Sequence, residues 1–84
     1  MIITFTKKIA VQNHYQPEFF FNRVLTANGI HFHVSVLGTQ HEFYHFTMVE
    51  KYGKWRIVNA PQPPDWIIGV ETELDSAICH GMLS

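Results

Sequence analysis

The sequence predicts an α+β fold: an antiparallel β-meander of about five strands with one C-terminal amphipathic helix packed on one face. Three observations carry this. Residues 1–59 read as β-branched and aromatic runs with alternating polarity, punctuated at hairpin positions by Asn28-Gly29 and Gly53. The stretch "APQPPDW" then removes three amide donors and cannot continue a central strand. Beyond it, Ile67, Val70, Leu74, Ala77 and Ile78 recur at helical spacing.

In chain order, "IITFTKKIAV" is the first strand. "FFFNRVLTA" and "IHFHVSVL" flank Asn28-Gly29 and should pair through a type I′ turn, which sets Ala27 opposite Ile30, Leu25 opposite Phe32, Arg23 opposite Val34 and Phe21 opposite Val36. Phe21, Leu25, Phe32, Val34 and Val36 then share one face, with Arg23 awkwardly among them. The other face holds Phe20, Asn22, Val24, Thr26, His31, His33 and Ser35. The strand "EFYHFTMVE" follows the turn "GTQH". A three-residue loop Gly38–Gln40 sets Leu37 against His41 and His33 against His45, and keeps Tyr44, Phe46 and Met48 with the apolar face. A loop of other parity would divide the histidines between the two faces.

A Tyr52-Gly53 turn aligns Trp55 with Glu50 and Ile57 with Met48, since Gly53 can take the positive φ that a tight turn needs. Residues 60–65 form a Pro-rich crossing segment. The helix is expected over 66–80, starting near Pro64 or Asp65 and stopping at Gly81, with Glu71, Thr72, Glu73 and Asp75 on its polar side. Trp55 and Trp66 are expected to join sheet to helix.

A chain of 84 residues is read as one domain, 1–84, able to bury only about 60–65% of its unfolded surface, so a partner chain would help it materially. Hydrophobic residues at 46% are too many for a disordered segment, and no apolar run approaches the ~20 residues that cross a bilayer. The start "MIITFTKKIAVQ" lacks the pattern of an export signal. A single cysteine, Cys79, excludes an internal disulfide and suits a reducing compartment, so a cytoplasmic location is expected; its place beside Ile78 reads as packing. Met1 to Pro64 carries six Lys/Arg and three acids, whereas Asp65 to Ser84 carries four acids and no Lys/Arg. That balance is not a nucleic-acid signature.

One helix covers only one sheet face. The other would display Phe20, Val24 and Phe43 beside His31, His33 and His45, more apolar than a solvated sheet requires. These six residues are the candidate ligand or interface face. The leading expectation is a non-catalytic interaction or ligand-binding domain, homodimeric through that face or meeting another protein, with no cofactor. A sheet edge offers a different route to a dimer.

The alternative is metal. His31 and His33, two apart on a strand, leave the same face with Cα atoms about 6.7 Å apart, and His45 can join them as a third ligand for zinc, which would give a metal protein or metal-dependent hydrolase. Its weak point is the absence of a carboxylate to orient the imidazoles, because Glu42 points to the opposite face from His45. No phosphate loop, nucleophile elbow or HExxH motif occurs, and Ser35 near two histidines lacks an orienting acid. Stacking of unpaired bases on Phe20, Phe43 and His33 lacks the basic groove it needs. A third possibility is docking of Glu71, Glu73 and Asp75 on a basic partner.

Overall fold

The computed structural model describes residues 4–58 and 62–83. Five strands, β1 (Thr4–Lys8), β2 (Glu18–Thr26), β3 (Gly29–Leu37), β4 (Phe43–Lys51) and β5 (Lys54–Ile57), form one antiparallel sheet in chain order. A short 3-10 turn, Gln12–His14, joins the first two. Helices α1 (Asp65–Ile68) and α2 (Glu71–Leu83) follow. The meander and C-terminal helix expected from the residue pattern are both present. Of the crossing segment, residues 60 and 61 lie outside the described residues, and Gln62 to Pro64 are irregular.

The core follows from strand alternation. Phe19, Phe21, Phe32, Val34, Val36, Phe46, Met48, Trp55 and Ile57 point to one side and are buried, and Ile67, Val70, Leu74, Ala77 and Ile78 belong to the same cluster. Its centre is aromatic: Phe32 meets Trp55 edge to face at 5.1 Å and Phe5 at 6.0 Å, while Phe5 stacks on Phe21 at 4.7 Å. Leu25, expected on this face, is 69% exposed because it lies at the hairpin tip beyond that cluster.

Two turns differ from expectation in register but not in parity. The first hairpin turns at Ala27-Asn28, so Thr26 pairs with Gly29, Leu25 with Ile30, Arg23 with Phe32 and Phe21 with Val34. A type I′ turn needs positive φ at both central residues, and in this hairpin only Gly29 has it, at 115°. The Thr26 hydroxyl fixes the alternative: it accepts from the Asn28 amide at 3.2 Å and donates to the Gly29 carbonyl at 2.8 Å. The second connection is a five-residue loop, Gly38–Glu42, with Leu37 opposite Phe43. The Gly38 amide donates to the Glu42 carbonyl at 2.7 Å, and His41 supplies a left-handed residue at φ 64°. Each change displaces the pairing by two residues, so the same side chains share each face. The last hairpin turns at Tyr52-Gly53 as expected, with Glu50 opposite Trp55 and Met48 opposite Ile57.

The helical region is divided. Pro64 caps α1, the chain tightens at Gly69 and Val70, where the Val70 amide reaches back to the Ile67 carbonyl at 3.1 Å, and α2 then runs through Gly81 to Leu83. Gly81 therefore does not end the helix. A Cβ there would lie 2.5 Å from Phe5 Cζ, so glycine serves close approach rather than termination.

Candidate functional site

Alternation sends the remaining sheet residues to the outer face. Across β2, β3 and β4 they form three rows: Phe20, Ser35 and His45; Asn22, His33 and Thr47; and Val24, His31 and Val49. The five-residue loop sets His33 opposite Thr47 rather than His45, which makes His33 and His45 diagonal neighbours at about 7–8 Å. His31 stands one row further away. Among the described residues, no three His, Cys, Asp or Glu side chains gather as a metal-holding group.

Phe43 is 58% exposed and Phe20 36%, His33 and His45 are exposed, and Val24 and His31 are half-buried. The Phe43 and His45 rings lie 6.2 Å apart at 28°, so the imidazole sits against an apolar neighbour. All six candidate residues thus share one face, with Phe43 and Phe20 in adjacent rows and Val24 and His31 beyond the polar row of Asn22, His33 and Thr47.

Between those rows is a depression of about 350 Å³ lined by Asn22, His33, Ser35, His45, Thr47 and Val58. Its lining can donate and accept hydrogen bonds but includes no carboxylate, so neither histidine has an acid there to orient it for base chemistry or metal binding. Glu42 turns elsewhere, accepting from the Tyr44 hydroxyl at 2.9 Å. That hydrogen bond, followed by desolvation and the carboxylate's charge, raises the Tyr44 pKa.

The acids of α2 are differently occupied than a docking helix would require. Glu71 Oε2 accepts from the Ile57 amide at 2.8 Å and Asp75 Oδ1 from the Trp55 amide at 2.9 Å, while Glu71 Oε1 pairs with Arg56 Nη1 at 3.4 Å. Two of the three carboxylates thus serve β5. The register and the four-residue spacing of these acids were both readable, but pairing them needed the path of the chain between strand and helix. Cys79 is exposed rather than packed, and desolvation, followed by the negative Asp75 beside it, pushes its thiol pKa up.

A larger groove, about 740 Å³, runs between β1 and α2, with Phe5, Lys7 and Ile9 on one wall and Glu73, Ala77 and His80 on the other. No sequence motif marked it, because it lies between the two ends of the chain.

No helix among the described residues is long and apolar enough to cross a membrane. Comparison with family models, with curated proteins and with solved structures gave no match.

Proposed function

We propose that this chain is a small non-catalytic interaction domain that works as a homodimer and presents its outer sheet face to a protein partner, either a second copy or another chain. The observation that carries this is the exposure of Phe20 and Phe43 on one sheet face, with Val24 on the same face beyond the Asn22, His33 and Thr47 row. In this reading α2 is the cover of the opposite face, supported by the cluster its apolar residues share with the sheet. His31, His33 and His45 are contact residues around the aromatic pair. The cytoplasm is the setting this reading assigns, in keeping with a single cysteine and no internal disulfide. Sedimentation equilibrium of tag-free protein at high micromolar concentration tests the reading, and a strictly monomeric species that recovers no partner would sink it.

A second reading is a His-ligated zinc-type metal protein, favoured by His33 and His45 lining one depression with His31 on the same face. It requires movement of His31 or a ligand from outside the three rows. Elemental analysis at neutral and mildly acidic pH decides it: near-stoichiometric zinc, lost at the lower pH and in His33→Ala, supports the site, whereas metal-free protein removes it.

A further inference from the structure

The sheet has two edges, and they are finished differently. In an antiparallel ladder, residues alternate between bonding the neighbouring strand and pointing their amide and carbonyl groups away from it. On β5 the outward amides belong to Trp55 and Ile57, and carboxylates of α2 occupy both. On β1, the Ile9 amide bonds the Pro17 carbonyl, so in the same register Phe5 and Lys7 face β2 while Thr4, Thr6 and Lys8 present their groups outward. Among the described residues no hydrogen bond reaches those outward groups.

Resting on the homodimer reading above but placing the contact between copies at this edge, so that the outer face is left for another chain, we propose that two β1 strands pair antiparallel about a twofold axis at Thr6 and join the two sheets into one. The register follows from the residues. Centred on Thr6, the pairing exchanges about six main-chain bonds, with Thr6 facing Thr6 of the second copy and Thr4 facing its Lys8. Lys7 then stands beside Phe5 of the second copy, whose ring lies against Gly81 in the last turns of that copy's α2. A cation there meets the negative end of a helix and the groove wall that carries Glu73.

Overlap and charge select this register: centred on Thr6 all of Thr4–Lys8 is paired, whereas a slide of one step either way leaves two of its residues unpaired. The slide that moves the axis to residue 7 would also oppose Lys7 with Lys7, and lysines on a strand edge resist unregulated pairing. The same lysines therefore disfavour the slide toward Lys8 and discourage indefinite addition, while β5 is already occupied by Glu71 and Asp75. A closed dimer results rather than a fibre. It leaves the outer faces with Phe20 and Phe43 side by side and open.

Two variants in a Cys79→Ser background test the proposal. Proline at position 6 removes only an outward amide, which an edge strand tolerates, so Thr6→Pro should keep the circular dichroism of the parent and sediment as a monomer. Thr6→Cys should oxidise to a covalent dimer, because directly opposed residues of such a pair lie about 5.5 Å apart at Cα, within disulfide reach. A Thr6→Pro protein that remains dimeric, together with a Phe43→Asp protein that does not, would overturn edge pairing while keeping the homodimer. A monomeric parent would remove both. Should Thr6→Pro fail to fold, failure of Thr6→Cys to cross-link in a dimeric sample is by itself sufficient to reject the alignment.

Discussion

The amide of Ile57 donates to Glu71 Oε2 at 2.8 Å, so a helix side chain does for the last strand what another strand would do. Asp75, one turn further on, repeats the arrangement at Trp55. Asp75→Ala should destabilise the protein by about 1–3 kcal/mol, because a half-buried amide loses a charged acceptor, whereas Asp75→Asn should restore much of that loss. Urea unfolding reads the difference, and equal midpoints for parent and Asp75→Ala would contradict this role.

Gly81→Ala ordinarily favours a helix by about 1 kcal/mol. Here the new methyl would collide with Phe5, which is held by its stack on Phe21, so a net loss of about 1–3 kcal/mol is expected. Thermal unfolding should show a lowered midpoint in Gly81→Ala and partial recovery in Gly81→Ala/Phe5→Leu. A raised midpoint in the single variant would mean that the ring yields.

Tyr52 sits at φ 54° before Gly53 at φ 81°, the pattern of a type I′ turn, with its side chain fully exposed. Asparagine accepts that conformation more readily than tyrosine and forfeits no packing. Tyr52→Asn should therefore stabilise by about 0.5–1 kcal/mol, measurable as an increased denaturant midpoint.

The Tyr44 hydroxyl should ionise above its ordinary value of 10.0, chiefly because it donates to Glu42. The fold then favours the protonated phenol. Its contribution to stability is present below pH 10.0 and is lost as pH rises through the raised pKa. Tyrosinate absorbance in a Tyr15→Phe/Tyr52→Phe background isolates the group, and adding Glu42→Gln should bring its titration to lower pH.

Alternation made much of this fold legible. Which residues face inward on β2, β3 and β4 depends only on parity, and parity survived two wrong turn assignments. Register did not, because Thr26 and His41 each stabilise a turn that the Asn-Gly pair and the Gly-Thr-Gln loop did not announce. That displacement of two residues is what separates His33 from direct opposition to His45. The sharing of one face by Phe20, Phe43 and three histidines was readable; the edge contacts of Glu71 and Asp75 were not, since they join strand to helix across a proline-rich segment with no pattern of its own. Gly81 resembled a helix stop because a glycine required by a distant ring is indistinguishable, in one sequence, from a glycine that ends a helix.

The seating of Phe5 against Gly81 also bears on the order of assembly. The β1 strand meets the last turns of α2, so this contact cannot form until the chain has been made through Gly81. Until then β1 is held by its ladder with β2 and by the contacts of Phe5 with Phe21 and Phe32, and that ring is uncovered on its α2 side. A chain made only as far as α1 would therefore expose the α2-facing side of β1 to chaperones or to another copy still being made.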